Sequence, residues 1–336
     1  MSKQYVKQFI DGMKGAPILE IGPLINPLFR KDSHDVYYAD VDTKEQLYDL
    51  YKNHNLCPPD ELYDSIMPID FVIHDKYLNA CGSKKFSVVY SSHVIEHVED
   101  VIDHISDLSN ILDEEGYIAF VIPDKRYCFD YAREVTPFRD ILDVHINGRQ
   151  RLARLSFDFS FNHHNAYSIA DYHNSSTKFS SKLTTDHYDG DILELYRGLQ
   201  ETMNYHGDHY WVFTYTSFLD ILRDMLRANL LPFTLHYSAA PLVNTNEFAI
   251  ILKKDTSILT DQRKRINEIT RISCISEEFQ DKTLILQQRQ ALSNLQNIQD
   301  QYYAIQNAFW WRITKPARML SNLCKNIVVK NRHKDD

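Results

Sequence analysis

Two stretches near the N-terminus combine residue types that could bind a nucleoside. Residues 18–23 form an apolar run that ends in glycine and proline, and residues 36–42 form a second run that ends in acid. Glycine has no Cβ, so the backbone at Gly22 could lie directly against a ligand. Asp40 or Asp42, at the end of the second run, could accept both hydroxyls of a ribose. We predict a nucleoside site here, with a plain buried strand–turn–strand unit as the alternative.

The residues around the glycine favour a nucleoside that carries no phosphates. The three-glycine dinucleotide fingerprint is absent, because Gly22 is followed by Pro23 and later by Pro27. Without the extra glycines, a pyrophosphate is poorly accommodated at a helix N-terminus. Glu20 would repel a phosphate but attract an amino group or a sulfonium. We therefore predict that Glu20, Gly22 and Pro23 bind S-adenosylmethionine rather than NAD.

Three further polar residues are predicted to contact the cofactor. Residues 65–70 have the pattern of a weak strand that ends in Asp70, which could face the adenine edge. The alternative is that Asp70 is the N-cap of a helix over residues 71–78. Ser91 and Ser92 follow the next clear strand and are predicted to lie at the same edge of the sheet.

His93 is the first candidate for a general base. It comes just after the strand predicted over residues 86–90, at the carboxyl edge where open α/β sheets bind ligands. Imidazole ordinarily titrates near neutral pH, which suits removal of a proton from a hydroxyl. The alternative is that His93 only shapes the cofactor pocket. Asp124, after the strand over residues 117–122, is the second catalytic candidate, and weaker ones are His145, His163, His164 and His209.

His93, Glu96 and His97 also match the H-x-x-E-H pattern of inverted zinc peptidases. That chemistry needs both histidines on one helical face and a third ligand downstream. Here a strand ends just before the motif, and Asp100 is the predicted N-cap of the next helix. The motif is therefore predicted to lie on a turn that Glu96 and His97 tie to its neighbours, and we expect no metal ion.

Strands and helices alternate through the first half of the chain, which predicts a parallel sheet with right-handed crossovers. A helix is predicted over residues 44–51, and Gly116 is expected to close the helix that Asp100 starts. Residues 233–238 and 247–252 are two strands with a short loop between them, so they must pair antiparallel. The predicted fold class is α/β, with a Rossmann-like, mostly parallel sheet closed by an antiparallel hairpin, as in methyltransferases rather than dehydrogenases.

Three segments are predicted along the chain. Residues 1–254 form the α/β domain. Within it residues 157–190 lose periodicity, which predicts a substrate cap or lid over about residues 155–208. Residues 255–309 are predicted to form a coiled coil, because apolar residues from Ala291 to Phe309 recur at alternating spacings of four and three, although the pattern is less regular upstream. One amphipathic helix packed on the domain is the alternative. Residues 310–336 form a basic, aromatic tail.

Composition limits the class of protein and its compartment. The formal net charge of −9 over 336 residues argues against a general nucleic-acid binder. The five cysteines are scattered without a C-x-x-C pair, which fits a reducing cytoplasm. We expect a cytoplasmic protein without a signal peptide or a membrane span. The basic and aromatic tail would suit contact with the inner face of an anionic membrane, or alternatively a protein dock.

Four motifs in this order resemble class I S-adenosylmethionine-dependent methyltransferases, and above all the branch found in bacterial surface-polysaccharide (O-antigen and capsule) gene clusters. They are Leu19-Glu20-Ile21-Gly22-Pro23, Tyr38-Ala39-Asp40, residues 89–97 and Phe120-Val121-Ile122-Pro123-Asp124. The resemblance covers about residues 16 to 254. Separately, residues 311–318 resemble the W-R-x-T-x-P-x-R element that recurs after coiled coils in polysaccharide-assembly glycosyltransferases and methyltransferases.

This resemblance implies a transferase that O-methylates a sugar of a surface glycan, such as a lipopolysaccharide O-antigen, or its precursor. The expected partners are that glycan substrate and, through the coil, a second copy of the chain or glycan-assembly enzymes. The main alternative is a non-catalytic adaptor with a degenerate methyltransferase fold. An NAD-linked oxidoreductase is disfavoured by the missing glycines and the closing hairpin.

Overall fold

The computed structural model describes residues 2–53, 58–162, 168–173, 192–202, 208–315 and 319. Within them the strands are β1 (Ile18–Ile21), β2 (Val36–Asp40), β3 (Phe71–Val72), β4 (Phe86–Ser92), β5 (Leu112–Pro123), β6 (Phe233–Ala239) and β7 (Glu247–Lys254). The α-helices are α1 (Ser2–Asp11), α2 (Lys44–Tyr51), α3 (Pro59–Ser65), α4 (Tyr77–Cys81), α5 (Val101–Ile111), α6 (Phe138–Asn147), α7 (Ala153–Asn162), α8 (Ile169–His173), α9 (Ile192–Thr202), α10 (Tyr215–Arg227) and α11 (Gln262–Ile313).

The strands form one sheet in the order β3-β2-β1-β4-β5-β7-β6. The neighbours from β3 to β5 pair in parallel, and β7 pairs antiparallel with both β5 and β6. The predicted mostly parallel sheet with a closing antiparallel hairpin is therefore confirmed. Because the strand order reverses at β1, the carboxyl ends of β1 and β4 border the topological switch point, where sheets of this kind bind ligands.

Local signals explain why two of the helices begin where they do. Thr43 is the N-cap of α2 and makes a capping box with Gln46. Asp100 is the N-cap of α5, because its Oδ1 accepts the N–H of Asp103 at 2.9 Å. Both helix starts match the prediction. The start of α5 matters for the site, since it ends the turn that carries the H-x-x-E-H motif.

Two predicted boundaries are wrong. The helix α5 ends at Ile111 rather than before Gly116, which lies inside β5. Leu112 is already extended, so the chain passes from helix to strand with no glycine cap. Residues 65–70 are not a strand and residues 71–78 are not one helix. The third strand is β3, and the preceding helix α3 has a proline in its first turn, a position that proline favours.

The predicted cap over residues 155–208 lies only partly within the described residues. There, α7 ends at Asn162, and α8 and α9 are separate short helices. His163 and His164 lie outside the described residues, as does most of the tail predicted over residues 310–336.

The helix α11 runs without a break over 52 residues, as the predicted helical arm requires. The chain divides into two compact units, residues 1–276 and 277–336. The start of α11 belongs to the first unit, because Glu268 accepts the N–H of Leu235 at 2.7 Å and Ile272 is buried. The α/β unit therefore extends beyond the predicted boundary at residue 254. No helix among the described residues is long and apolar enough to cross a membrane.

Candidate functional site

A cleft of about 360 Å³ opens at the carboxyl ends of β1 and β4. Its wall is formed mainly by residues 20–28, which leave β1, with contributions from Lys3 and Tyr90. Among the residues predicted from the sequence, the cleft brings together Glu20, Gly22, Pro23, Ser92 and His93. The cleft thus lies at the switch point that the sheet order defines.

Gly22 turns the chain out of β1 in a left-handed conformation, with φ +68°, that glycine adopts without a steric cost. Its N–H donates to the carbonyl oxygen of Ala39 at 2.9 Å, which holds the turn against β2. A Cβ at this position would lie 3.0 Å from Cγ2 of Val94. The missing side chain leaves the backbone of the turn exposed in the cleft.

Glu20 is buried beneath this turn, and its carboxylate binds backbone. Its Oε1 accepts the N–H of Leu28 at 2.7 Å, and its Oε2 accepts the N–H of Phe29 at 3.0 Å. Burial raises the pKa of Glu20 to about 7, although the two hydrogen bonds lower it. The observed role of Glu20 is to position the loop that walls the cleft, which differs from the predicted attraction of a cationic ligand.

Asp40 and Asp42 differ in their position at the end of β2. Asp40 is the last residue of the strand, next to the residue whose carbonyl binds Gly22, whereas Asp42 lies beyond it. Burial raises the pKa of Asp40 to about 6; the N–H of Val41 opposes this shift and the charge of Asp42 adds to it. Asp40 is therefore the better placed of the two to meet a ribose beside the turn.

Asp70 does not end a strand, so the predicted placement is wrong. It precedes β3, and its Oδ2 accepts the N–H of Tyr38 at 2.8 Å. Both of its oxygens also pair with Nζ of Lys31, at 2.6 and 2.7 Å. Asp70 therefore ties the segment before β3 to the backbone of β2 and to Lys31. Ser91 is buried in β4, whereas Ser92 lines the cleft, because successive strand residues face opposite sides.

His93 leaves β4 with φ +55°, a conformation uncommon for residues other than glycine. Its N–H donates to the carbonyl oxygen of Val121 at 2.9 Å, so β5 holds this bend in place. The imidazole lines the cleft and is 33% exposed. Its Nε2 lies 3.2 Å from Oε2 of Glu247, and its Nδ1 lies 3.6 Å from Oε1 of Glu96.

Glu247 is a site residue that the sequence analysis missed. It is the first residue of β7, and because that strand is antiparallel, its start lies opposite Pro123 at the carboxyl end of β5. Burial opposes ionisation of Glu247, but the hydrogen bond to His93 and the charge of Lys3 outweigh burial and lower its pKa. A carboxylate in this position orients the imidazole, as in other pairs of a base and its orienting group.

Asp124 is fully buried, and four hydrogen bonds occupy its carboxylate. Arg126 donates to both oxygens from its side chain, each at 2.8 Å, and to Oδ1 from its backbone at 3.1 Å. The N–H of Tyr215, at the start of α10, donates to Oδ2 at 3.0 Å. This geometry leaves no oxygen open to an acceptor, so it supports a positioning role for Asp124 rather than the predicted catalytic one.

The turn after His93 is tied to residues 208–211, as predicted for Glu96 and His97. The carbonyl oxygen of Glu96 accepts the N–H of Trp211 at 3.1 Å, and Nδ1 of His97 lies 2.9 Å from the carbonyl oxygen of Asp208. Burial lowers the pKa of His97. The indole of Trp211 is almost fully buried, so Trp211 is a core residue rather than a catalytic one.

The cleft suits the nucleoside part of S-adenosylmethionine. A Cβ would fill the space beside the backbone of Gly22, so only glycine leaves that surface open. Asp40 ends the adjacent strand with a carboxylate that can accept ribose hydroxyls. Both features agree with a ligand that presents a ribose.

Comparison with known proteins agrees with this site. Residues 16–178 match the family model of a methyltransferase domain. A search of curated proteins finds no match. The fold assignment therefore rests on the sheet order and on this family match.

Three solved methyltransferase structures are among those similar to this chain. The CurJ carbon methyltransferase is 9% identical, with 75% of this chain and 54% of that chain covered and a TM-score of 0.37. The plantazolicin methyltransferase BpumL, in complex with SAH, is 11% identical, with 76% and 82% covered and a TM-score of 0.35. CcbJ from Streptomyces caelestis is 14% identical, with 40% and 53% covered and a TM-score of 0.28. The chain spans about half the length of the CurJ and CcbJ chains.

The family match covers the glycine turn, the acidic end of β2 and the strand that precedes His93. The glycine turn and the end of β4 line the cleft at the switch point, and β2 pairs with β1 beside it. Residues 16–178, which include most of the wall of the cleft, therefore match a methyltransferase domain.

Proposed function

We propose that this chain transfers a methyl group from S-adenosylmethionine to a sugar hydroxyl of a bacterial surface glycan or its precursor. The observation that carries the transfer reaction is the position of His93, in the wall of the same cleft that Gly22 opens. The sugar acceptor is supported by the resemblance of the sequence motifs and of residues 311–318 to polysaccharide-assembly enzymes.

The residues around the cleft supply positioning and proton removal. S-adenosylmethionine brings an electrophilic methyl group, so the chain must align an acceptor oxygen and take up its proton. With Glu247 accepting the N–H at Nε2 of His93, Nδ1 is the nitrogen that takes up that proton, and Oε1 of Glu96 lies 3.6 Å from it. The carboxylate of Glu247 then stabilises the imidazolium that forms. Asp124 and Glu20 hold the elements on either side in place.

The acceptor class can be tested by product analysis. We expect the purified chain to add a single methyl group to an oxygen of glycan precursors taken from cells that lack this chain. Mass spectrometry with isotopically labelled S-adenosylmethionine would detect the transfer, and NMR would locate the methyl group. Methylation of a carbon or a nitrogen instead would contradict the sugar hydroxyl as acceptor while leaving the transferase intact.

Asp40→Ala is expected to weaken S-adenosylhomocysteine binding by about 1–3 kcal/mol, the scale of a hydrogen bond to a charged group. In the wild type, only the ionised carboxylate accepts both ribose hydroxyls. Because the pKa of Asp40 is about 6, the affinity should fall as the pH drops below that value. Calorimetric titrations between pH 5 and 8 would measure both effects.

Asp42→Ala is the matched control for this prediction, since it removes a neighbouring carboxylate that lies beyond the strand. We expect it to bind almost as tightly as the wild type. A larger loss for Asp42→Ala than for Asp40→Ala would show that the ribose meets the second acid.

We also propose that α11 pairs with a second copy of the chain. Its apolar residues at coiled-coil spacing are each more than half exposed: Leu295, Ile298, Tyr302, Ile305 and Phe309. Burial of such a stripe in water is favourable, and a second copy presents the same stripe for a coiled coil.

The double variant Leu295→Glu, Ile298→Glu should therefore lower the oligomeric state, because it places two negative charges within the apolar stripe of α11. Sedimentation velocity would measure the change. The control is Ser293→Glu, Ala304→Glu, which adds the same charge on the opposite face of the helix. Equal behaviour of the two double variants would contradict a coiled coil along this stripe.

A further inference from the structure

A buried cluster lies behind His93, on the turn that carries the H-x-x-E-H motif. Glu96 and His97 come from this turn, and His209 comes from the segment before α10. One ligand atom from each of the three side chains lies within 4.8 Å of the others. The rings of His97 and His209 meet edge to face, with centroids 4.6 Å apart.

Glu96 is a buried carboxylate whose charge is not satisfied by hydrogen bonds. Its side chain is fully buried, and neither oxygen accepts a hydrogen bond from any residue that the structure describes. Its Oε1 lies 3.9 Å from Nε2 of His97 and 3.9 Å from Nε2 of His209. Burying a carboxylate costs free energy unless it is paired, hydrogen-bonded or bound to a metal ion, and the nearest polar groups to this one are the rings of His93, His97 and His209.

Both histidines are oriented through their other ring nitrogen. Nδ1 of His97 lies 2.9 Å from the carbonyl oxygen of Asp208, and Nδ1 of His209 lies 2.6 Å from Oδ2 of Asp130. In the neutral ring, an Nδ1–H that donates to an oxygen places the lone pair on Nε2, which faces Glu96. Burial disfavours the protonated ring of His209, but the neighbouring carboxylates outweigh burial and raise its pKa, so a metal ion would bind there in place of a proton. Histidines that ligate metals are held in the same way by carboxylates and carbonyls. Asp130 is itself fixed by Arg133, at 2.7 Å.

We propose that Glu96, His97 and His209 bind a divalent transition-metal ion, with Zn²⁺ as the probe. Two imidazoles and one carboxylate form a zinc ligand set that leaves a position open to a further ligand. Tetrahedral ligand atoms about 2.0–2.2 Å from one zinc ion lie about 3.3–3.6 Å apart. The two separations of 3.9 Å would therefore shorten by a few tenths of an ångström, and the two imidazoles, within 4.8 Å of each other, would draw together when the ion binds. Imidazole ligands favour Zn²⁺ over Mg²⁺.

The sequence pattern alone led to the opposite expectation. In an inverted zinc-peptidase motif both histidines of H-x-x-E-H would be ligands on one helical face. Here His93 points its Nε2 to Glu247, and the second histidine of the proposed site is His209, from a distant part of the chain. The proposed site therefore differs from the expectation of no metal, and its ligands come together only through the fold.

The position of the cluster beside His93 suggests a role for the ion in activating the acceptor hydroxyl. This role rests on the proposed function. Nδ1 of His93 lies 3.6 Å from Oε1 of Glu96, so the ion would sit next to the proposed base. An acceptor hydroxyl bound at the open position would lose its proton more readily, because a bound metal ion stabilises the alkoxide. A metal site without methyl transfer would contradict this use while supporting the site itself.

Zinc titration of the full chain tests the site without any assay of activity. After chelator treatment and dialysis, calorimetry with ZnCl₂ alone should show binding of one equivalent. Glu96→Gln and His209→Gln should each weaken that binding by more than about 100-fold, beyond the 10–100-fold typical of residues that only orient ligands. His34→Gln, which removes a surface histidine paired with Asp11, should bind zinc like the wild type.

Three results of these measurements would overturn the proposed metal site. Failure of the metal-free wild type to bind zinc would overturn the proposal, as would unchanged binding in Glu96→Gln and His209→Gln. Because a buried substitution can unfold the chain, circular dichroism should accompany each titration. X-ray absorption at the zinc edge of the wild type needs no variant, and a first shell without two imidazole ligands would also overturn the site.

Discussion

Replacing His93 by alanine is expected to lower the turnover number by about two to four orders of magnitude, the usual contribution of a general base. The structure places this imidazole in the wall of the cleft, with Glu247 on its Nε2. The turn at Gly22 is held by the carbonyl oxygen of Ala39 rather than by His93 or Glu247. The affinity for S-adenosylhomocysteine should therefore change little. Single-turnover kinetics would measure the chemical step, and calorimetry would measure the affinity.

A second substitution separates loss of the base from strain in the backbone. The φ of +55° at His93 disfavours alanine, whereas asparagine adopts this region more readily. His93→Asn should therefore keep the bend of the chain and lose activity as His93→Ala does, while His34→Ala serves as a control outside the cleft. Near wild-type turnover in His93→Asn would contradict a histidine base. Equal loss of cofactor affinity would support the alternative that His93 only shapes the pocket.

Gly22→Val is expected to weaken S-adenosylhomocysteine binding by at least about 100-fold, or about 2.7 kcal/mol. A Cβ would lie 3.0 Å from Cγ2 of Val94, and a β-branched residue is strained at φ +68°. The added side chain would also cover the backbone that the nucleoside needs. Calorimetry measures the affinity, and circular dichroism checks that the domain stays folded.

An asparagine at position 22 separates the effect of backbone strain from the effect of the added side chain. Gly22→Asn tolerates the left-handed backbone but still places a side chain on the surface of the turn. We expect it to fold and to lose binding. Gly15→Asn is the matched control, because Gly15 also has a positive φ (+71°) but lies away from the cleft, with open space around its Cβ position. Wild-type affinity in Gly22→Asn would mean that the nucleoside does not lie against this turn.

The parts of the fold that local pattern determines could be predicted. Apolar runs predicted β1, β2 and β4, and the N-cap Asp100 predicted the start of α5. Both signals depend only on residues that are neighbours in the sequence. The short loop before Glu247 required an antiparallel hairpin. Gly22 was recognisable for the same reason, since a tight turn that ends a buried strand needs glycine.

Long-range pairings account for what could not be predicted. Glu247 and His93 are 154 positions apart, and His209 and Asp130 are 79 apart, so no local pattern indicates that they meet. The error at Asp70 has a different cause. An acid after a short apolar run suits a strand end or a loop anchor equally well, and only the pairing of β2 with β3 distinguishes them.

We expect the cleft at the switch point to bind S-adenosylmethionine through the turn at Gly22. Calorimetry of the full chain with S-adenosylmethionine, S-adenosylhomocysteine and NAD⁺ tests it most directly. We predict that the first two bind with one equivalent each, that NAD⁺ gives no binding heat, and that Gly22→Val loses the first two. Binding of NAD⁺ without binding of either sulfur nucleoside, or full affinity in Gly22→Val, would contradict this account of the site.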